Sequence, residues 1–108
     1  MGIAYDNKKE YDNAIEAYQK ALKINPKKDE AYYNMGIAYD NKGEYDNAIE
    51  VYQKAVEINP KRDDAYNNMG IAYGKLKEFE KMLEAFQKVF ELNPKRLNWI
   101  TRLVSRWF

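Results

Sequence analysis

One stretch of sequence occurs three times in this chain, at intervals of 34 residues. The pentapeptide Met-Gly-Ile-Ala-Tyr occupies residues 1–5, 35–39 and 69–73, and an Asn-Pro-Lys tripeptide begins at Asn25, Asn59 and Asn93. A repeat of this length is one supersecondary unit, which can bury its apolar face only by stacking on further copies. The chain is therefore expected to fold as a stack of similar units and not around a single central core.

Each copy contains two helical patterns. In the middle copy, apolar residues recur at spacings of three and four, first at Ala31, Tyr32, Met35, Ala38 and Tyr39, and then at Tyr45, Ala48, Ile49, Tyr52, Ala55, Val56 and Ile58. Gly43 interrupts the pattern, and Pro60 ends it because proline cannot continue a helix. Asp29 and its equivalent Asp63 are the predicted N-caps. Helices of about 13 residues joined by short turns pack antiparallel as hairpins, so the predicted fold is all-α.

The pattern resembles the tetratricopeptide repeat over nearly the whole chain. The signature positions in the second copy are Tyr32, Met35, Gly36, Tyr39, Ala48, Tyr52, Ala55 and Pro60. Tyrosine replaces the usual tryptophan at the first of these positions, and methionine replaces leucine at the second. The 34-residue period is also that of the family. The resemblance implies a right-handed α-solenoid of antiparallel helix-turn-helix hairpins with an extra C-terminal helix.

The repeat boundaries divide a single domain of residues 1–108. Residues 1–28 form a truncated first repeat that opens inside a first helix, and residues 29–62 and 63–96 form the second and third repeats. Residues 97–108 occupy the position of the next first helix and are expected to cap the stack or to seek a partner. The third copy has diverged, with Lys77 in place of Gly43.

The C-terminal segment is basic and aromatic. Residues 95–108 contain four basic residues and no acid, which leaves 14 of the 18 basic residues against all 17 acidic residues in the remainder. The candidate self-association residues are Trp99, Ile100, Leu103, Trp107 and Phe108. Three interpretations stay open: a cap helix, pairing with a second copy, and contact with a membrane surface or a nucleic acid. Four cations are few for either of the last two targets.

The composition excludes most catalytic chemistry. The chain has no histidine and no cysteine, and Ser105 and Thr101 are its only hydroxyl residues apart from the tyrosines. Acid pairs at Asp29-Glu30 and Asp63-Asp64 lie at helix starts, where the helix dipole favours negative charge. No calcium-binding or phosphate-binding loop spacing is present. The sequence therefore predicts no enzyme activity, no metal site and no cofactor.

Nothing in the sequence indicates a membrane segment. No apolar run approaches the roughly 18 residues that cross a bilayer, and no signal peptide is evident. We expect a cytoplasmic protein with neither a membrane nor a nucleic acid as its partner.

The tyrosines fall into columns of equivalent positions. The column of Tyr5, Tyr39 and Tyr73 and the column of Tyr11, Tyr45 and Phe79 are predicted to pack in the core. Tyr33 is predicted to be exposed, because its equivalent in the third copy is the polar Asn67.

The resemblance also implies a concave groove lined by the first helices, which commonly holds an extended peptide. By position, the candidate binding residues are Ile3, Tyr33, Asn34, Ile37, Asp40, Asn41, Asn67, Asn68, Ile71, Lys75 and Arg102. Asn34 and Asn68 offer amides that can bond a peptide main chain, above an apolar floor of Ile3, Ile37 and Ile71. Alternatively, the asparagines satisfy local backbone groups and the isoleucines complete the core.

The carboxylate clamp of some family members is incomplete here. Asp64 lies where the clamp requires Asn or a cation, and its charge would repel a carboxylate ligand, so a ligand with some basic residues is expected. The predicted function is a non-catalytic protein-interaction module that binds a protein or peptide partner. The alternative is a self-assembling scaffold that forms homo-oligomers through residues 97–108.

Overall fold

The computed structural model describes the backbone of residues 3–97 and the side-chain surroundings of residues 9–95. Five α-helices follow one another: α1 (Ile3–Ile24), α2 (Asp29–Asn41), α3 (Tyr45–Ile58), α4 (Asp63–Lys75) and α5 (Phe79–Leu92). A short 3-10 helix, Pro94–Leu97, follows α5. The pairs α2–α3 and α4–α5 form hairpins, while α1 packs on α2 and α3 on α4. The prediction of an all-α solenoid of stacked hairpins is confirmed.

The turns inside the second and third repeats are built alike. Gly43 takes a φ of 79°, its N–H donates to the Asp40 carbonyl at 2.9 Å, and the Glu44 N–H donates to the Tyr39 carbonyl at 2.9 Å. These two bonds form the helix-ending motif that normally places glycine in the left-handed region. The same bonds recur in the third repeat, where Lys77 takes a φ of 62°. A side chain in this region costs about 1 kcal/mol, so the third turn carries local strain.

The first repeat departs from this plan. The α1 helix runs without a break through the position at which the other repeats turn. Lys9 stands there in place of Gly43, and lysine is a good helix former that is disfavoured at positive φ. The structure therefore differs from the expectation of a separate first helix at the start of the chain.

The open end of each hairpin is closed by an asparagine. Asn59 Nδ2 donates to Asp29 Oδ2 at 3.2 Å, and Asn93 Nδ2 donates to Asp63 Oδ2 at 3.3 Å. Because these carboxylates bond across the hairpin, they do not cap. The cap positions belong to the preceding residues, which make no side-chain cap hydrogen bond, so the N-cap prediction for Asp29 and Asp63 is wrong.

The core consists of two clusters divided along the stack. One joins α1 to α2 through Ile15, Leu22, Ala31, Met35 and Ala38, and the other joins α3 to α4 and α5 through Ala48, Ile49, Tyr52, Val56, Ala65, Met69, Ala72, Tyr73 and Ala85. Glycines permit the closest approaches inside each hairpin. A Cβ atom on Gly36 would overlap the Tyr52 ring, and one on Gly70 would lie 2.7 Å from Phe86 Cε1.

Most of the tyrosine columns pack in these clusters. Tyr73 is buried, and Tyr11, Tyr39 and Tyr45 pack half-buried against the clusters. Phe79 is 56% exposed, so the core prediction is wrong at that position, because none of the described helices covers the outer side of α5. The side chain of Tyr5 lies outside the described range.

No helix within residues 3–97 has both the length and the hydropathy that crossing a bilayer requires.

Candidate partner-binding surface

The surface predicted to bind a partner lies on α2 and α4, the first helices of the second and third repeats. Tyr33, Asn34, Ile37, Asp40, Asn67 and Asn68 are half-buried there, and Asn41, Ile71 and Lys75 are exposed. The remaining two candidates are outside the described side chains: Ile3 lies in the first turn of α1 and Arg102 in the C-terminal segment. The predicted self-association residues, Trp99, Ile100, Leu103, Trp107 and Phe108, also lie beyond residue 97.

A chain of hydrogen bonds fixes the orientation of the Asn68 amide. The Tyr52 hydroxyl donates to Asp40 Oδ2 at 2.6 Å. Since a phenol has one proton, the Tyr52 oxygen can only accept from its next partner, Asn68 Nδ2, at 3.4 Å. The same Nδ2 donates to the Tyr33 hydroxyl at 3.3 Å. None of the described residues donates to Asn68 Oδ1, which is therefore left as an acceptor beside the two tyrosines.

Asp40 supports this arrangement from inside the hairpin. Its Oδ1 is buried and accepts no hydrogen bond from the described residues. Burial raises the pKa of the Asp40 carboxyl, against the lowering effect of the Tyr52 hydrogen bond. Burial also raises the pKa of Tyr52, as does the neighbouring Asp40.

The sequence shows the same coupling between the two positions. In the third repeat, the equivalents of Asp40 and Tyr52 are Gly74 and Phe86, so both members of the polar pair are replaced together. The carboxylate and the phenol thus act as an internal pair that holds Asn68.

A second cluster surrounds Arg62, in the loop before α4. Its Nε and Nη2 each lie 3.1 Å from an oxygen of Asp64, and its Nη1 lies 3.1 Å from Asp29 Oδ2. The guanidinium carbon lies 4.3 Å from the centre of the Tyr33 ring. Tyr33 is therefore half-buried beneath a cation and not freely exposed as predicted. Asn59 chiefly, with Arg62, holds the pKa of Asp29 below its usual range.

This cluster changes the electrostatics expected from the sequence. The Asp64 charge is compensated by a bidentate arginine, so its expected repulsion of a carboxylate ligand loses its basis. Sequence reasoning missed Arg62 because it precedes the predicted helix. A signal was present, since the equivalent residues in the other copies, Lys28 and Arg96, are also basic.

The largest described recess lies on another face of α4. It has a volume of about 580 Å³ between α3 and α5, with Tyr66, Met69 and Tyr73 of α4 at its base. A smaller recess of about 340 Å³ occupies the equivalent place between α1 and α3. Its rim carries both lysine and glutamate side chains, so it offers no preference for ligand charge.

Among the described residues, no group of three or more acidic side chains could hold a metal ion. The acids at the helix starts are engaged structurally: Asp29 and Asp64 bind Arg62, and Asp63 accepts from Asn93.

Comparisons with known proteins place these features in a family. A profile described as TPR repeat matches residues 2–43 and 40–77, and one described as Tetratricopeptide repeat matches residues 63–96. A search of curated proteins finds no match.

Crystal structures of MamA are similar to this chain. One has 36% identity and a TM-score of 0.77, and the similarity covers 82% of this chain and 52% of that one. A second has 36% identity and a TM-score of 0.75, with coverage of 83% and 49%. MamA from Desulfovibrio magneticus RS-1 has 29% identity and a TM-score of 0.75, with coverage of 81% and 49%. This chain spans about half the length of each of these proteins. The profile matches extend over nearly every residue, and the chain belongs to the tetratricopeptide repeat family.

Proposed function

We propose that the chain is a non-catalytic protein-interaction module that binds an extended segment of a partner protein along α2 and α4. The observation that carries this proposal is the fixed amide of Asn68. Its Nδ2 is held by Tyr33 and Tyr52, and its Oδ1 is left without a donor among the described residues. A backbone N–H of a bound peptide can supply that donor whatever the peptide sequence is.

The neighbouring residues suit the same role. Ile71 is 48% exposed on α4, and Ile37 is half-buried at the equivalent position on α2. Together they offer an apolar strip beside the asparagines. Asn34, the equivalent of Asn68, is half-buried and makes no side-chain hydrogen bond with a described residue. A main-chain acceptor next to an isoleucine is therefore available once in each of the two repeats.

The charges on this surface favour recognition through the peptide main chain. The Asp64 charge is compensated by Arg62, and Asp40 faces inward to Tyr52. A requirement for basic ligand residues thus loses two of the acids that suggested it. We propose a ligand recognised by its extended backbone and by small apolar side chains.

The test is binding of peptides selected from a random displayed library, measured by titration calorimetry. Asn68→Ala should lower the affinity about tenfold, since a net hydrogen bond contributes about 1–1.5 kcal/mol. The matched control is Asn47→Ala, because Asn47 is exposed on α3 and bonds only Glu44. Equal affinities of the two variants would show that this surface is not the binding site.

Self-assembly through residues 97–108 is the second candidate function. It is favoured by the large apolar side chains that α5 exposes at Phe79, Leu83 and Phe90. Light-scattering mass over a wide concentration range separates the two candidates. A monomer at every concentration, indistinguishable from the Trp99→Ala, Trp107→Ala double variant, would exclude assembly.

A further inference from the structure

The outer face of α5 is the largest apolar mismatch in the described stack. Phe79, Leu83 and Phe90 are 56%, 63% and 50% exposed. The equivalents of Leu83 and Phe90 in α3 are Ile49 and Val56, which are only 7% and 8% exposed because α4 packs on them. The face of α5 is thus built like a covered face, and none of the described helices covers it.

We propose that residues 98–108 of the same chain fold back onto this face and close the stack. The length of the segment fits. Eleven residues of helix span about 16 Å, which is also the distance along α5 from Phe79 to Phe90. The segment starts directly after the 3-10 helix Pro94–Leu97, which packs against α5. This inference goes beyond the proposed function, because it concerns a face that contributes no residue to the peptide-binding surface.

The chemistry of the segment is complementary to the α5 face. Trp99, Leu103 and Trp107 recur every four residues, so a helix would carry them on one side. The segment contributes two arginines and no acid, while α5 exposes the glutamates Glu80, Glu84 and Glu91. Burial of apolar area supplies the main stabilisation, and opposite net charges add to it.

The segment does not dock as another regular repeat helix. In the 34-residue register, Trp99 corresponds to Ala65 and Arg106 to Ala72, which are 0% and 1% exposed against α3. Side chains as large as Trp and Arg do not fit in the places of two fully buried alanines. The segment therefore lies farther out on α5, with its tryptophans inserted between the exposed side chains, and it ends the stack instead of extending it.

Tryptophan fluorescence tests this directly, because the two tryptophans of the chain, Trp99 and Trp107, both lie in the segment. The full chain should emit at the short wavelengths of a buried indole and resist quenching by acrylamide, independently of protein concentration. Leu83→Asp should shift the emission to longer wavelength and raise the quenching constant several-fold. The control Ile71→Asp, also at an exposed apolar position but on α4, should change neither quantity.

Three outcomes would overturn the proposal: solvent-exposed emission from the unmodified chain, equal behaviour of Leu83→Asp and Ile71→Asp, or a buried signal that grows with concentration and with mass. The last would assign the face to a second copy. Circular dichroism verifies that each variant stays folded, and Phe90→Ser provides a second variant of the face. Peptide affinity of Leu83→Asp should stay unchanged, so failure here is distinguishable from failure of the peptide-binding proposal.

A second variant tests the docking position. If the segment sat in the regular register, Trp99→Ala would restore the alanine of the other repeats and raise the melting temperature. With Trp99 inserted against α5, the same substitution lowers the melting temperature and exposes Trp107 to acrylamide.

Discussion

Gly36→Ala is the most informative single perturbation of the stack, because it adds one methyl group at a contact that has no space for it. The new Cβ would overlap the ring of Tyr52, with Cδ1 at 2.6 Å. Tyr52 is fully buried and is held at its hydroxyl by Asp40 and Asn68, so its ring cannot move aside without breaking hydrogen bonds.

The magnitude follows from three contributions. Overpacking a close contact costs about 1–3 kcal/mol, and each weakened hydrogen bond costs about 1 kcal/mol. Alanine is favoured over glycine inside a helix by about 1 kcal/mol, which offsets part of the loss. The net expectation is a loss of about 2 kcal/mol. Gly70→Ala is the matched control, because Phe86 is half-buried and has no hydroxyl to anchor it, so its change should be close to zero.

The assay is urea denaturation followed by far-ultraviolet circular dichroism. A loss of about 2 kcal/mol lowers the denaturation midpoint by about 1 M urea for a domain of this size. Gly36→Ala should also weaken peptide binding, because a displaced Tyr52 releases the Asn68 amide. The reasoning is refuted if Gly36→Ala and Gly70→Ala have the same midpoint.

Three further substitutions test other parts of the structure. Lys77→Gly should stabilise the chain by about 1 kcal/mol by relieving the strained φ, whereas Gly43→Lys should destabilise it by a similar amount; thermal melting decides both. Because the folded-state pKa of Asp40 is raised, its contribution to stability falls as pH rises through the range between its unfolded and folded pKa values. The free energy of unfolding of the wild type relative to Asp40→Asn should therefore fall between about pH 3 and pH 7, and a constant difference would contradict the assignment. Arg62→Ala should cost about 1–2 kcal/mol, because it removes the bridge between Asp29 and Asp64 and the contact with Tyr33; a midpoint equal to that of the wild type would show the cluster to be unimportant.

The sequence was sufficient to predict the hairpins but not the roles of individual polar residues. Apolar spacing, Gly43 and Pro60 give the elements of the second repeat because those signals are local. The continuous α1 depended on a choice between a turn and a helix at Lys9, which local periodicity does not decide. Asp29 was expected to cap its own helix, yet Asn59, 30 residues away, binds it across the hairpin.

The candidate site shows the same division. Nine of the predicted binding residues lie on α2 and α4, as the family register implies. Their availability could not be predicted, because Tyr33 and Asn68 meet only when two repeats stack. Arg62 belongs to the surface through contacts across the same junction, which no single repeat contains.

The division of the core into two clusters has a consequence for how the chain loses its structure. Helix α1 packs mainly on α2, and that junction also holds an ion pair between Lys42 and Asp12. Its apolar cluster is separate from the one that joins α3 to α4 and α5. In a linear array, cooperativity passes only between nearest neighbours, so loss of one junction need not spread to the next. Opening should begin at α1 as fraying from one end, while α4 and α5 keep the protected amides of an intact hairpin.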